Sequence, residues 1–401
     1  MNGSPERAGS LPQMHAVLRA AEGRFFFYGT LRDPLVRERV LGRPVPAATV
    51  HPASLPGWAV RHVAGESWPM IVPAPGGVAE GVVIEGATAG DLARLVFFED
   101  GDDYRLEPVA VTLADGRRAP AAMFRPVDGA EAGPPWDFEA WRAADGGLLA
   151  ETLAEFMEWF GRRSADEAHG LWKWVESRAL ARLAGRRNAA PATFRRRPVP
   201  GDVERIAVER PWSGIFAVEE HVLRHRRFDG GMTPPLRRAV FVSGDAVTVL
   251  PWDPRHDTVL VVEQFRAGPL AREDANPWLL EPIAGRREEN EPWEAVARRE
   301  AQEEAGIALG RLVRVAGYYP TPGAMAEYVV SFVAEADLGP GGDGGVHGLA
   351  AEHEDIRAHI LPLSALEAMV GSGEAMDAPL ILSALWLAAH RERLRVEWGH
   401  G

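Results

Sequence analysis

Residues 25–31 (FFFYGTL) are apolar up to a turn at Gly29, which predicts a buried strand running into a tight turn. Alternating apolar and polar positions recur over residues 79–85, 106–113 and 119–125, separated by turn residues, and predict a small antiparallel or mixed sheet. Residues 91–98 (DLARLVFF) combine an acidic start with helical apolar spacing, so a short helix capped by Asp91 is expected. These elements make a first domain over residues 24–127, ending before a Gly/Pro-rich stretch. From 136 to about 183 the period changes to that of a helix, with Leu149, Leu153, Phe156, Met157 and Phe160 on one stripe. Residues 186–200 are basic and broken by proline, the pattern of a solvated arm. Residues 136–200 are therefore read as a helical connector.

A different rhythm starts at Val203 and defines a domain over 203–401. Strands are expected over 215–224 and 238–242 around the turn Asp229-Gly230-Gly231, and over 246–251 and 258–265 around Asp253-Pro254. A helix over 292–305 is stopped by Gly306, and strands follow over 312–317 and 328–334. Residues 339–354 read as a Gly-rich acidic loop, and a helix from Ser364 leads to the C-terminus. No internal repeat is visible.

Composition narrows the chemistry. A length of 401 residues favours two cores over one. An apolar fraction of 46% with 25% charged residues is that of a soluble globular chain. The net charge of −13 argues against a nucleic-acid partner, which needs a basic face. Without cysteine there are no disulfides, thiolate metal sites or cysteine nucleophile. The N-terminal stretch lacks the apolar core of a signal peptide, and the longest apolar run, residues 380–389, is too short to span a bilayer. A cytoplasmic protein without membrane partners is expected.

The informative segment is residues 285–307, GRREENEPWEAVARREAQEEAGI. On a helix Glu300, Glu303 and Glu304 share one face, where like charges repel unless protonated or neutralised by a cation. Carboxylates without His or Cys nearby select hard ions such as Mg²⁺, Mn²⁺ or Ca²⁺, and Mg²⁺ binds phosphates readily. An acidic solvated helix is the plain alternative. The wider segment decides between them, because it matches G-x5-E-x7-R-E-U-x-E-E-x-G-U, with U apolar, at Gly285, Glu291, Arg299, Glu300, Ala301, Glu303, Glu304, Gly306 and Ile307.

This pattern resembles the Nudix box. The resemblance implies a loop–helix–loop on an α/β/α sandwich, with Glu300 and Glu304 as principal metal ligands, Glu303 beside them and the Ala284 carbonyl contributing. Arg299 would orient the acids and pair with Glu291. The implied reaction is metal-assisted attack of water on a diphosphate with Mg²⁺, for which Mn²⁺ can substitute. Beyond the box, GIFAVEEHVLRHRRFDGG, VVEQFR, PWLLEPIAG, YYPTPGAMAEY and HGLAAEHEDIRAHIL resemble bacterial ADP-ribose pyrophosphatases. That implies phosphate-binding roles for Arg238 and Arg266, and a loop in which Glu352 is the general base and Glu354 a metal partner, or the two exchanged. It also implies a homodimer sharing its substrate sites. Ile215 departs from the family, where an aromatic residue is common. GDP-mannose or another nucleotide sugar is the alternative substrate, and a nucleotide sensor without turnover the alternative class.

In the first domain FFFYGTLRDP, followed by LVFFEDGDDYRLEPVAV, resembles the γ-glutamylcyclotransferase-like (AIG2-like) fold, a small mixed β-barrel. The resemblance implies that Tyr28, Gly29, Thr30 and Leu31 cradle a substrate carboxylate and that Glu99, followed by Tyr104-Arg105, is the general acid/base. Whether this domain turns over, or supplies the main activity, is left open by sequence. The expected whole is a two-domain α/β (α+β) protein with a helical connector.

Overall fold

The computed structural model describes residues 10–99, 104–127, 130–187, 191–288, 291–349 and 353–400. The chain divides into two compact units, Met1–Glu176 and Ser177–Gly401.

In the first unit α1 (Leu11–Ala20) precedes β1 (Phe25–Phe27), a 3-10 turn (Thr30–Arg32) and α2 (Pro34–Leu41). There follow β2 (Val50–Val63), β3 (Pro69–Ile84), α3 (Ala89–Phe98), β4 (Tyr104–Leu113), β5 (Arg118–Pro126) and β6 (Ala132–Pro135). The helices α4 (Phe138–Ala144), α5 (Gly146–Phe156), α6 (Ala165–His169) and α7 (Trp172–Arg187) complete the order, with α7 counted here to Glu176. The strand order β3-β1-β5-β4-β2 closes through β2–β3 pairing into a barrel, and β6 adds beside β2. β1 pairs parallel to β5 and antiparallel to β3, so the barrel is mixed.

The triple phenylalanine follows from this closure. Phe26 and Tyr28 join Leu55, Ile71, Val83, Val111 and Met123 in one cluster. Phe25 and Phe27 point the other way, onto Leu18, Val36, Leu92, Leu95 and Phe156 of the helical layer. Burying both faces leaves no room for a polar position in β1; each fully buried side chain of this size contributes about 1.5–3 kcal/mol.

Three expectations need correction. The N-cap of α3 is Thr88, and Asp91 is the third helical residue of a capping box, its Oδ2 accepting from the Thr88 amide at 2.8 Å. The long strand β2 and the first half of β3 were not foreseen. The stripe Leu149, Leu153, Phe156, Met157 and Phe160 packs into the first unit with Trp136, Trp141 and Trp159, so up to Glu176 the expected connector is part of that unit's core.

The second unit continues from Ser177 through β7 (Val203–Ser213), β8 (Ala217–His225), β9 (Leu236–Val242), β10 (Ala246–Asp253), β11 (Thr258–Phe265), α8 (Ala267–Ala271), β12 (Trp278–Glu281) and β13 (Ile283–Arg286). Next come α9 (Trp293–Ala305), β14 (Leu312–Tyr318), β15 (Met325–Ala326), β16 (Val329–Glu335), β17 (Gly342–His347), β18 (Ile356–Pro362), α10 (Leu363–Ser372) and α11 (Ala378–Trp398). The main sheet runs β14-β16-β10-β11-β18-β17, with β12 beside β11 and β13 beside β10, and its central pair β10–β16 is parallel. A second sheet has the order β15-β9-β8-β7.

Alternation along β10 sends Val247 and Val249 to one face, against Val296, Ala297 and Ala301 of α9. Leu250 and Trp252 belong to the opposite cluster, against Leu363, Leu380, Leu387 and Trp398 of α10 and α11. The result is an α/β/α sandwich. Residues 339–354, expected as loop throughout, contain β17. The single expected C-terminal helix is two, because Gly373 takes a left-handed conformation (φ 87°) and Asp377 starts α11 afresh. Among the described residues no helix is long and apolar enough to cross a membrane.

Candidate active site

The second unit's site is built on α9. Val296, Ala297, Ala301 and Ala305 are buried, and the small alanines let the helix lie close to β13 and β10. Gly306 ends it in the left-handed conformation (φ 64°), its amide donating to the Gln302 carbonyl at 3.1 Å. This stop holds Glu300, Glu303 and Glu304 on the last turns, with Glu300 and Glu304 against β13. Gly285 of β13 lies so close that a Cβ there would sit 1.7 Å from Glu300 Oε1.

Glu304 is buried (4% exposed) and accepts from the Ala284 amide at 3.1 Å. Burial pushes its pKa up to about 8; the Ala284 amide opposes this, while Glu300 and Glu354 add to it. Burial likewise pushes Glu300 up to about 7, against the pull of Arg299. Arg299 donates to Glu300 at 2.8 Å, Glu303 at 3.1 Å, Glu291 at 3.5 Å and the Arg286 carbonyl at 3.3 Å. Its own pKa is raised despite burial, because Glu300, Glu291 and Glu303 hold it charged.

Glu354 belongs to the same acidic group, since its charge raises both Glu300 and Glu304. Its loop is fastened to α9 by the Gly348 amide on the Glu303 carbonyl (3.4 Å) and folded on itself by the Leu349 amide on the Glu354 carboxylate (3.2 Å). Glu352, the expected base, lies outside the described residues. Arg266 is in the field of Glu304. One edge of its guanidinium is held by Glu281, Nε at 2.7 Å and Nη2 at 2.6 Å, which leaves Nη1 for another acceptor. Sequence reasoning missed Glu281; an acid inside the apolar PWLLEPIAG was the available signal. Arg238 is on β9 in the smaller sheet, exposed, and donates to the Arg237 carbonyl; no described bond joins it to the acidic group.

In the first unit Tyr28 ends the buried β1 segment and Gly29 opens the 3-10 turn, Arg32 N donating to Gly29 O at 3.0 Å. The first amides of such a turn, here at Gly29, Thr30 and Leu31, have no acceptor within it, the property an anion cradle needs. Glu99 closes α3, its amide on the Leu95 carbonyl at 2.8 Å. It is partly exposed as a residue, yet loss of hydration around its carboxyl pushes the pKa up to about 8. Burial also raises Tyr28, with Tyr104 and Glu99 adding to it and Arg125 opposing, which puts these four side chains in one neighbourhood.

A family model described as "NUDIX domain" matches residues 242–378. An ADP-ribose pyrophosphatase of Escherichia coli strain K12 is 38% identical over 208 residues, covering 52% of this chain and 96% of the relative. The chain belongs to the Nudix family. An ADP-ribose pyrophosphatase of Haemophilus influenzae is 32% identical, covering 49% of this Nudix chain and 91% of the relative. A GDP-mannose pyrophosphatase of Pectobacterium atrosepticum is also 32% identical, covering 45% and 89%. The model described as "Gamma-glutamyl cyclotransferase, AIG2-like" matches residues 25–143, which places that domain in the first unit.

Nudix hydrolases of this kind depend on a divalent metal. Among the described residues no three acidic or histidine side chains converge closely enough to hold an ion as they stand. Glu300 and Glu303 are drawn to Arg299 and Glu304 to the Ala284 amide. The donor chemistry nevertheless fits a hard cation: Glu300 and Glu354 raise the pKa of Glu304, the lack of a side chain at Gly285 makes room for the Glu300 carboxylate against β13, and the group offers carboxylate oxygens.

One further acid near Arg266 is set apart by burial. Asp377 caps α11, accepting from the Leu380 amide at 2.9 Å, and burial pushes its pKa up to about 7, with Glu281 adding and Arg266 and that amide opposing. An acid that holds its proton more tightly when folded makes the fold lose stability as pH rises from about 4, the unfolded value, to the folded one. Asp377→Asn keeps a capping side chain. Its Tm is expected to match the parent's near pH 4 and exceed it at pH 8; equal melting at both pH values removes Asp377 as the source.

Proposed function

We propose that the second unit hydrolyses the diphosphate of a nucleoside diphosphate sugar, ADP-ribose to AMP and ribose 5-phosphate, with Mg²⁺ as the working ion and Mn²⁺ as a substitute. The observation that carries this reading is the acidic face of α9, where Glu304 is buried against the Ala284 amide and Glu300 lies over Gly285, with Glu354 and Arg266 near enough to act on Glu304. Glu300, Glu303, Glu304, Glu354 and the Ala284 carbonyl would hold the ion. When bound, it offsets negative charge on the phosphate oxygens and favours attack by water. Arg266 donates from Nη1 to a phosphate oxygen while Glu281 fixes its plane. Arg299 bridges Glu300 and Glu303 through one nitrogen, Nη1, and so fixes where both carboxylates lie. Glu352 takes the proton of the attacking water.

ADP-ribose is favoured by relatives named for it that are matched over nearly their whole length. GDP-mannose is the second reading, favoured by the relative named for that substrate. A panel of nucleoside diphosphate sugars with Mg²⁺, scored for nucleotide release, separates the two; no release from any member sinks both. The smaller sheet carries the proposed homodimer contact, since β7 exposes Val203, Ile206, Val208 and Trp212. Arg238 on the same sheet then serves a substrate shared between protomers.

For the first unit we propose γ-glutamyl cyclotransfer, with the turn Tyr28–Leu31 holding the carboxylate and Glu99 moving the proton. A carboxyl with a pKa of about 8 is protonated at neutral pH and can donate as well as accept. Release of 5-oxoproline from a γ-glutamyl amine or dipeptide is expected, and its loss in Glu99→Gln. No product from any such substrate leaves the domain without this activity.

A further inference from the structure

The half of α7 that belongs to the second unit makes bonds that a spacer has no need of. Arg178 is fully buried (0% exposed). It donates to the carbonyls of Ile215 at 2.8 Å and Gly214 at 3.1 Å, and to Ser213 Oγ at 3.4 Å, gathering the turn between β7 and β8. Arg182, one turn further along, reaches the buried Glu219 of β8 at 2.9 Å, where Arg210 and His221 also bond. Ser177 Oγ donates to the Arg287 carbonyl at 3.3 Å. It also lies where a Cβ on Gly244 would come within 2.5 Å, so the helix is pressed against the start of β10.

The turn held by Arg178 leads into Phe216, and the Arg286 guanidinium lies over the Phe216 ring at 4.5 Å. Arg286 directly follows Gly285, and its carbonyl accepts from Arg299, the residue that bridges Glu300 and Glu303 through Nη1. Residues 286 and 287, which carry the chain from β13 toward α9, are thus held on both sides, by Phe216 over Arg286 and by Ser177 on the Arg287 carbonyl.

We infer that Ser177 and Arg178 of α7 are positioning residues for the segment 284–287 that leads into the acidic helix, Arg178 acting through the turn 213–216 and Ser177 directly on residue 287. The inference rests on the metal-dependent reading of the Nudix unit, and it places that unit's working boundary ahead of Val203, inside α7. A side chain that orients a loop beside a metal site typically changes metal affinity by about 10-fold to 100-fold. One that only adds stability lowers the Tm and leaves the folded molecules' affinity untouched.

The test uses the full chain, Mn²⁺ as probe in calorimetry without substrate, and amide hydrogen exchange. Arg178→Met is expected to weaken Mn²⁺ binding by about tenfold and to speed exchange over 213–216 and 284–288, with Arg178→Lys recovering part of both. A folded Arg178→Met with parental Mn²⁺ affinity and parental exchange overturns the inference. Should Arg178→Met fail to fold, Ser177→Ala decides, because it removes a single bond: faster exchange at 286–288 supports the inference, unchanged exchange overturns it. A parent chain that binds Mn²⁺ but cleaves no nucleoside diphosphate sugar defeats the proposed function and leaves this test standing.

Discussion

Glu304→Gln is expected to lower kcat for diphosphate hydrolysis by about 1,000-fold while leaving the fold as stable as before or more so. The two effects come from one cause. Glu304 is buried among Glu300 and Glu354, and its ionised form is disfavoured up to a pH of about 8. Glutamine has the same shape, can still accept from the Ala284 amide, and carries no charge to repel its neighbours. The folded carboxyl holds its proton more tightly than the unfolded one, so Glu304 costs the parent stability as pH rises through the window from about 4 to 8, and the variant is spared that contribution. The measurements are kcat with saturating Mg²⁺ and Tm at pH 8.5 without metal. Activity within tenfold of the parent would take Glu304 out of the ion's coordination.

Gly285→Ala is expected to lower kcat by about 100-fold with a small change in Tm. The added Cβ would stand 1.7 Å from Oε1, 1.9 Å from Cδ and 2.4 Å from Cγ of Glu300, so the Glu300 carboxylate must leave its place. Because what must move is the end of a flexible side chain, the backbone keeps its course. Displacement of a reacting group's support by about 1 Å is enough for a loss of this size. A variant with parental kcat would show that Glu300 works from a different position. A large fall in Tm would show that β13 itself had shifted.

How much of this was legible depends on whether the determinants are local. The α9 segment declares itself, because helical spacing, three acids on one face and a left-handed glycine stop are all properties of adjacent residues. β10 and β11 are legible for the same reason, as apolar runs flanking a turn at Asp253. β2 and β3 are not. Pro52, Pro56, Pro69, Pro73 and Pro75 interrupt their alternation, and the ladder absorbs the break with an irregularity between Pro56 and Trp58. Glu281 became a partner of Arg266 only when β12 was laid beside β11. Arg178 lies in the stretch expected as a helical connector, and nothing adjacent marks it; its acceptors are brought to it by a turn more than thirty residues away. The fold of both units was visible in outline, and so was the acidic face, but not what holds its arginine and its loop in place.

The parallel pair at the centre of the second unit joins Ala246 to Val329 and runs on to Trp252 opposite Glu335. Between these strands the chain makes β11, α8, β12, β13, α9, β14 and β15, so the helix that carries the acids lies inside a long closure at the centre of the sheet. Contacts this distant in sequence form slowly, since much chain entropy is given up before they return anything. Recovery of hydrolysis during refolding should therefore lag behind the return of helical signal and coincide with the return of tertiary packing. A half-folded chain, however helical, would present its carboxylates to no cradle and turn over nothing.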